Sequence, residues 1–332
     1  MTPSVPRQQD IARRAGVSQA AVSRTFGGGP VAKETREKVL RAAAEFGYSP
    51  DAIARSLVTG QSTMIAVVLG DIHNPFYPYV LDRLTTKFNE AGRQVLLFTV
   101  PPGRRVDDVL PQALAYRVAG VVVASAELSS NVAVACAERN TPLVLFNRYV
   151  PGSGAAGVSC DNREGGRLAA EHLFSRGRRN FAFVGGLAGT STNVDRRDGF
   201  VEAVRRGGGT VGDVLEGAYS YEWGYQAADR VGAGAADAVL CGNDIIAMGL
   251  LDGLRHGSSR TVPDDVAVVG FDDIPAAAWP AYSLTTVRQP VDQMIDATVA
   301  LLAGEPGTSP GEGRAHRFPA ELVVRGSTTS GR

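Results

Sequence analysis

Apolar residues recur at helical spacing in the first 47 positions of the chain and predict three short helices. Gly16 separates the first helix from the second, Ser18 is placed to cap the second, and Gly47 ends the third. The predicted helices cover about Gln8–Ala15, Ser18–Phe26 and Lys33–Glu45, and the apolar face of the third consists of Val39, Leu40, Ala43 and Phe46. The pattern therefore indicates an all-α unit at the start of the chain.

From Met64 onward, short runs rich in β-branched residues alternate with stretches of helical periodicity. Strands separated by helices favour parallel βαβ units and hence a doubly wound α/β architecture. Roughly 260 residues of this pattern exceed the usual size of one such sheet, so two lobes are expected. The predicted strands are Met64–Leu69, Gln94–Thr99, Gly120–Ala124, Pro142–Phe146, Asn180–Val184, Ala238–Cys241, Val266–Gly270 and a C-terminal strand near Phe318–Val324.

The composition is that of an ordinary globular protein, with 44% hydrophobic and 20% charged residues. No apolar run approaches the ~20 residues that a membrane helix needs. Positions 1–10 hold Pro, Arg and Gln rather than an apolar core, so we expect no export signal and a cytoplasmic protein. Three widely spaced cysteines, Cys136, Cys160 and Cys241, show no CxxC spacing and are expected to be reduced and buried.

Charge is distributed unevenly although the formal net charge is zero. Residues 1–60 hold nine Lys or Arg and five Asp or Glu, whereas the remainder holds 25 and 29. A basic head on an acidic body points to a polyanionic partner for the head. A solvated basic helix face would give the same pattern, so the asymmetry alone leaves both interpretations open.

The segment from Ile11 to Arg24 has the features of a helix-turn-helix. Small residues at the bend let two helices cross closely, and Val17 and Val22 are placed to lock the second helix to the first. This arrangement leaves Gln19, Ala20 and Arg24 pointing outward from the second helix. The start of a recognition helix is the part that meets base edges in the major groove. Arg can bind guanine in bidentate fashion and Gln can pair with adenine. An ordinary helical hairpin with solvated polar residues is the alternative.

The following segments, 48–57 and 59–62, complete a specific pattern, and the chain resembles the LacI/GalR family of bacterial repressors. In that family a short hinge helix follows the head and enters the minor groove as a dimer, where a leucine wedges into the central base step. The matching residue is Leu57, with Ala54 beside it. Such wedging costs a few kcal/mol of unstacking, which the contacts of bent DNA offset. The DNA-binding residues expected on this basis are Ser18, Gln19, Ala20, Ser23, Arg24, Ala54 and Leu57.

The resemblance continues to Arg325 through motifs that are weak singly but strong in this order and spacing. The motifs are Asn74-Pro75-Phe76-Tyr77, Val144-Leu145-Phe146-Asn147-Arg148, the segments 161–166 and 196–200, Gly242-Asn243-Asp244, Gly270-Phe271-Asp272-Asp273 and the segment 284–289. They are similar to the type I periplasmic-binding-protein fold. The expected fold class is therefore an all-α helix-turn-helix head plus an α/β body of two doubly wound parallel-sheet lobes.

Polar residues follow several predicted strands directly, at Asn147-Arg148, Asn243-Asp244 and Asp272-Asp273. Ligands of open α/β sheets bind in the crevice at that end of the strands. Such groups beside flat aromatic rings suit a polyol. By similarity, hydrogen bonding to an effector is assigned to Asn147, Arg148, Arg196, Asn243, Asp272 and Gln289, and the aromatic walls to Phe76, Tyr77 and Tyr219. Any single Asp or Asn could instead cap a helix, the role expected for Asp161 and Asp244.

Enzyme chemistry lacks its usual motifs in this sequence. No GxGxxG directly follows a predicted strand, no GxxxxGK[ST] occurs, and there is no GxSxG nucleophile elbow. The four histidines have no paired spacing, so neither a metal nor a cofactor is expected. An exported sugar-binding protein of a transporter would share the body, but it would need a signal peptide in place of the head.

The sequence thus predicts a cytoplasmic, homodimeric repressor of sugar-utilisation genes without a membrane association. It would bind a pseudo-palindromic DNA operator, and a sugar or sugar-like effector between the two lobes would control its affinity. The expected parts are a head at 1–47, a hinge at 48–62 and a body at 63–330. Within the body, the near lobe should hold about 63–160 and 290–317, and the far lobe about 161–289 and 318–330.

Overall fold

The computed structural model describes residues 6–27, 29–48, 62–101, 103–124, 131–304 and 315–329. Most of the predicted hinge, including Ala54 and Leu57, lies outside these residues. The chain divides into two compact units, Met1–Thr63 and Met64–Arg332. Among the residues that the structure describes, no helix is both long enough and apolar enough to cross a membrane.

The first unit contains the three predicted helices, α1 (Gln8–Ala15), α2 (Gln19–Gly27) and α3 (Lys33–Phe46). Helix α1 ends at Gly16 and α3 at Gly47, both in the left-handed conformation that glycine adopts without a Cβ penalty. The hydroxyl of Ser18 accepts a hydrogen bond from the Ala21 amide at 3.2 Å, as expected for the predicted cap. The core of this unit consists of Ile11, Ala12, Val22, Val39, Ala42 and Ala43.

The predicted apolar face of α3 is wrong at two positions. Leu40 is 48% exposed and Phe46 is 44% exposed. Leu40 is one residue beyond the buried Val39 and is therefore turned about 100° away from it around the helix axis. Near the C-terminal end of the helix, the ring centroids of Phe26 and Tyr48 lie 5.6 Å apart. These two rings pack against the core in place of Phe46.

The second unit contains two sheets, as predicted, and each has six strands; the strands Ala156–Cys160, Thr210–Glu216 and Thr285–Arg288 were not predicted. The first sheet has the order β11-β5-β4-β3-β1-β2, with β1 (Met64–Leu69), β2 (Gln94–Thr99), β3 (Gly120–Ala124), β4 (Leu143–Phe146), β5 (Ala156–Cys160) and β11 (Ala315–Phe318). The second has the order β12-β10-β9-β8-β6-β7, with β6 (Asn180–Gly185), β7 (Thr210–Glu216), β8 (Ala238–Cys241), β9 (Ala267–Asp272), β10 (Thr285–Arg288) and β12 (Glu321–Val323). All neighbouring strands are parallel except β10 and β12.

Helices connect the strands of both sheets. They are α4 (Phe76–Glu90), α5 (Val106–Ala115), α6 (Asn131–Ala137), α7 (Asn162–Ser175), α8 (Ser191–Arg206), α9 (Tyr221–Ala233), α10 (Asp244–Gly257) and α11 (Val291–Ala303). Every residue of β1, β3, β8 and β9 is buried, because helices cover both faces of a doubly wound sheet. The edge strands β2 and β7 keep exposed positions. The architecture confirms the predicted fold class.

The C-terminal segment forms two strands where the sequence predicted one. Strand β11 pairs with β5 in the first sheet, and β12 pairs with β10 in the second. Pro319 separates the two strands, and it cannot donate a hydrogen bond to a continuing ladder. The chain therefore passes from one lobe to the other at this residue.

Two glycine-rich segments have a GxGxxG spacing, and neither opens a helix. The segment at 207–212 leads from the end of α8 into strand β7. Positions 152–157 read Gly-Ser-Gly-Ala-Ala-Gly and lead into strand β5. Both segments therefore lack the helix N-terminus that binds phosphate in dinucleotide sites.

The three cysteines are buried and unpaired, as predicted. Burial raises the pKa of the Cys136 thiol to about 11 and that of Cys160 to about 12. Both thiols therefore stay protonated near neutral pH and behave as small apolar side chains.

Helices α7 and α8 approach closely through two glycines. A Cβ atom at Gly199 would lie 2.0 Å from the carbonyl oxygen of Arg163, and one at Gly166 would lie 2.3 Å from that of Arg196. No larger residue fits at either position without moving a backbone. This contact fixes the segment of α8 that carries the Arg196 side chain.

Candidate functional site

One face of α2, from Ser18 at its cap to Arg24 in its last turn, presents a polar surface on the first unit. Its exposed residues are Ser18, Gln19, Ala20, Ser23 and Arg24, which are the predicted DNA-contacting positions that the structure describes. Ala21, Val22 and Thr25 occupy the opposite, buried face. No acidic residue lies in the first turn of α2, and Arg24 forms no ion pair with any described residue. A helix N-terminus and an unpaired cation both favour a phosphate-bearing partner.

A cavity of about 590 Å³ in the second unit lies where the C-terminal ends of strands from both sheets meet. Its lining comes from the loops after β1, β2 and β4 of the first sheet, and from the loops after β6, β7 and β8 and the last residue of β9 in the second. This is the crevice in which doubly wound folds bind ligands. Eight predicted effector-binding residues line it: Phe76, Tyr77, Asn147, Arg148, Arg196, Tyr219, Asn243 and Asp272.

Gln289, the ninth predicted residue, does not line this cavity. Its side-chain amide donates a hydrogen bond to Oδ1 of Asp272 at 2.7 Å, and only 2% of the residue is exposed. It borders a smaller cavity of about 270 Å³ on the other side of Asp272. Gln289 therefore orients Asp272 rather than facing the larger cavity.

Arg196 has a protein partner for each of its guanidinium nitrogens. Nε donates to Oδ1 of Asn162 at 2.8 Å, Nη1 to the carbonyl of Gly242 at 2.5 Å, and Nη2 to Oδ1 of Asp272 at 3.4 Å. The guanidinium carbon lies 3.7 Å from the centroid of the Phe271 ring. Stacking on an aromatic ring and several acceptors compensate for the burial of this cation. Arg196 thus ties three segments together at the far-lobe wall of the cavity.

Asp272 combines an unusual backbone conformation with a shifted pKa. Its φ is 117°, and those of Asp273 and Asn147 are 56° and 60°. L-residues rarely adopt these angles, which cost of order 1–3 kcal/mol each and cluster at ligand sites. Burial raises the pKa of Asp272 to about 6, against the opposing influence of Arg196 and Gln289. Both hydrogen bonds to its carboxylate reach Oδ1, and none from the described residues reaches Oδ2.

Asn243, which lines the cavity, also takes the capping role that was expected for Asp244. Asn243 is the cap of α10, since its Oδ1 accepts the amide of Ile246 at 3.1 Å. The capping role predicted for Asp244 is wrong, because its carboxylate accepts the Thr286 hydroxyl at 2.5 Å and the Ile274 amide at 2.9 Å. Asn243 already occupies the extended cap position, so Asp244 becomes the first helical residue and points toward β10. Burial raises the pKa of Asp244.

Asp161 has the predicted capping role. Its Oδ1 accepts the amide of Glu164 at 3.0 Å at the start of α7.

Tyr219, on the cavity wall, places its hydroxyl 3.2 Å from that of Thr192. Gly186 makes room for this ring, because a Cβ atom there would lie 2.3 Å from it.

Several lining residues were missed by the sequence analysis. They are Asp71, Ile72 and His73 after β1, Pro101, Gly103, Arg104 and Arg105 after β2, and Leu187 and Thr192 in the far lobe. Strands β1 and β2 were predicted with correct bounds. Ligands of parallel sheets bind beyond the C-terminal ends of the strands, so the loops after β1 and β2 were predictable as parts of the site.

Comparison with known proteins identifies both units. Residues 8–51 match the family described as "Bacterial regulatory proteins, lacI family", and residues 170–328 match the "Periplasmic binding protein-like domain". The ribose operon repressor of Halalkalibacterium halodurans is 31% identical over 331 residues, which cover 97% of this chain and 97% of the relative.

Two solved structures match nearly the whole length of the chain. The lac repressor dimer bound to operator and the anti-inducer ONPF is 25% identical with a TM-score of 0.83, covering 98% of this chain and 99% of that one. The transcriptional regulator CelR in complex with cellobiose is 28% identical with a TM-score of 0.71, covering 97% and 99%. The chain therefore belongs to the lacI family of bacterial regulatory proteins, and it is a transcriptional regulator rather than an enzyme.

Proposed function

We propose that this regulator is a cytoplasmic repressor of sugar-utilisation genes that binds a pseudo-palindromic operator as a homodimer. A sugar or sugar-like effector in the cavity between the lobes controls its affinity for DNA. The relatives support this proposal: one is a ribose operon repressor, one is a lac repressor dimer on its operator, and one is a regulator bound to cellobiose. The functional parts are a head at 1–47, a hinge at 48–62 and a two-lobed body at 63–330.

The observation that carries the proposal is the composition of the 590 Å³ cavity. A carboxylate, amides and guanidinium groups stand beside the rings of Phe76, Tyr77 and Tyr219. Polar groups of this kind hydrogen-bond hydroxyls, and aromatic faces pack against the C–H faces of a sugar. The effector-binding roles of the nine predicted residues rest on this fit, with Gln289 acting through Asp272.

Control of DNA binding requires that the effector distinguish two states of the body. The cavity wall comes from both lobes, so a bound molecule that contacts both changes their relative free energy. The lobes also touch through Tyr149, whose hydroxyl donates to the Asp195 carboxylate at 3.0 Å and whose amide donates to the Ser191 hydroxyl at 3.3 Å. These contacts are candidates for those that change when the lobes move.

A sugar-binding protein of a transporter remains the alternative for the body alone. The head argues against it, because a match to lacI-family regulators covers residues 8–51.

Direct base recognition by α2 predicts that Arg24→Ala weakens binding to a selected operator by 1–3 kcal/mol, or about 5- to 150-fold. The operator is selected from random DNA with the full chain, and affinity is measured by fluorescence anisotropy. Arg13→Ala is the matched control, because Arg13 is exposed on α1 and paired with Asp10 at 2.6 Å. Equal losses in both variants would reduce the role of Arg24 to general electrostatics and contradict base recognition.

A wedge role for Leu57 predicts that Leu57→Ala reduces both operator affinity and DNA bending. Loss of the wedge removes the minor-groove kink, so contacts that depend on the bend are lost with it. Bending is measured by energy transfer between dyes at the two ends of the operator. An unchanged bend angle with unchanged affinity would remove Leu57 from the interface.

A further inference from the structure

Arg148 lies on the near-lobe wall of the cavity and is held there by its backbone. The Asn147 amide donates to the carbonyl of Val158 at 2.7 Å, and Arg148 forms a β-bridge with the same residue. Gly157 permits this close approach, because a Cβ atom there would lie 2.9 Å from the Arg148 carbonyl oxygen. Only 6% of Arg148 is exposed. The guanidinium is therefore fixed inside the protein, with little access to water.

The guanidinium of Arg148 nevertheless lacks partners. Its Nε and Nη1 atoms are buried without a hydrogen-bond acceptor, and Oδ1 of the neighbouring Asn147 is buried without a donor. No described carboxylate forms an ion pair with it. The groups that act on it electrostatically are the hydroxyls of Tyr77 and Tyr219, while burial lowers the pKa of Arg148. A buried cation without a counterion is costly, in contrast to the fully partnered Arg196.

The two carboxylates of the cavity wall are already engaged elsewhere. Asp272 is bound by Arg196 and Gln289 through Oδ1, and Oδ1 of Asp71 accepts the amide of His73 at 2.9 Å within its own loop. At the rim, Arg104 is exposed and has no ion pair among the described residues. The near-lobe lining holds three arginines, Arg104, Arg105 and Arg148, against a single carboxylate, Asp71, so this side of the cavity carries net positive charge.

We propose that the effector is an acidic sugar whose carboxylate or phosphate group pairs with Arg148. Its hydroxyl groups then face the far lobe, where Oδ2 of Asp272 is free to accept them. Arg104 adds a second positive charge at the entrance, which favours the approach of an anion. This inference rests on the proposed function only in taking the cavity as the effector site.

The test compares neutral and acidic members of the same sugar series by thermal shift and calorimetry. The probes are glucose, gluconate, glucuronate and glucose 6-phosphate, the corresponding galactose and ribose compounds, and inorganic phosphate. We expect at least one acidic sugar to raise the melting temperature of the full chain by about 5–10 °C at a hundredfold excess over Kd. The neutral parent should bind at least tenfold more weakly. Aldonates and uronates distinguish a carboxylate effector from a phosphate effector.

Arg148→Met removes the charge while keeping an unbranched side chain, and Arg230→Met is the matched control. Arg230 is 69% exposed, pairs with Asp213 and does not line the cavity. Binding of the acidic sugar should fall at least tenfold in Arg148→Met and stay unchanged in Arg230→Met. Ligand-free Arg148→Met should melt above the wild type, since an uncompensated buried charge is gone.

Two results would overturn the inference. One is a neutral sugar that binds as tightly as its acidic counterparts, or an acidic sugar that binds Arg148→Met as well as the wild type. The other is a panel without binding together with an Arg148→Met variant that melts no higher than the wild type. Operator binding by the wild type is measured in parallel. Absence of operator binding would count against the proposed function. Release of the operator by a neutral sugar would support that function but exclude an acidic effector.

Discussion

Replacement of Arg196 by Ala is expected to lower the free energy of unfolding by about 3–5 kcal/mol, as removal of one partner of a buried ion pair usually does. The side chain is 2% exposed, and its hydrogen bonds to Asn162, Gly242 and Asp272 would all be lost. The contact with the Phe271 ring would leave a void. Urea unfolding followed by the fluorescence of Trp223 and Trp279 measures the change.

The control for this prediction is Arg197→Ala, the same change one residue along α8. Arg197 is 29% exposed and pairs with Asp198 and Glu216, so its loss should cost no more than about 1 kcal/mol. Loss of Arg196 removes an influence that lowers the pKa of Asp272, so the carboxyl group takes up a proton at a higher pH in the variant than in the wild type. The cost of Arg196→Ala should therefore shrink as the pH falls toward about 6 and level off below it. Equal stability of the two variants would show that Arg196 is not structural.

Replacement of Asp272 by Asn is expected to weaken effector binding at least tenfold. The substitution keeps the size of the side chain and an acceptor for Gln289 and Arg196, but it removes the charge that strengthens hydrogen bonds from sugar hydroxyls. Such charge-assisted bonds contribute about 1.5–3 kcal/mol each. Calorimetry with the effector measures the loss, and a melting curve shows whether the fold is retained.

The pH dependence of binding provides a second readout for Asp272. Its pKa in the free protein is raised to about 6, and hydroxyl donors bind its ionised form. Binding therefore releases a proton, so wild-type affinity should rise between about pH 5 and pH 7 and then level off. Asp272→Asn should lack this rise, whereas Asp296→Asn, an exposed residue paired with Lys87, should retain it. A rise that persists in Asp272→Asn would assign the titration to another group.

The sequence predicted most reliably those features that depend on local periodicity and strand order. The exposure of Gln19 and Arg24 on α2 was predictable from helical spacing, because Val22 and its buried neighbours occupy the opposite face of the helix. The cavity followed from the rule that places ligands at the C-terminal ends of parallel strands. Eight of nine effector residues line it because they come directly after strands or on the helices that face that edge.

The errors arose where packing between distant segments decides the role of a side chain. Nothing local distinguishes Asp244 from a helix cap, since its partners Thr286 and Ile274 come from other parts of the second lobe. Gln289 stands behind Asp272 because β10 pairs with β9, a register that periodicity does not specify. The unpartnered state of Arg148 is likewise visible only once the lobes are assembled.

The central claim is that occupation of the body's cavity changes the affinity of the head for DNA. The most direct test titrates the full chain with labelled operator in the absence and presence of a saturating acidic sugar that binds wild type but not Arg148→Met. The account predicts that the sugar changes the operator affinity of the wild type at least fivefold, which corresponds to a coupling free energy of about 1 kcal/mol or more. Because coupling is reciprocal, the operator should change the affinity for the sugar by the same factor. An operator affinity that stays the same with the cavity occupied would contradict it.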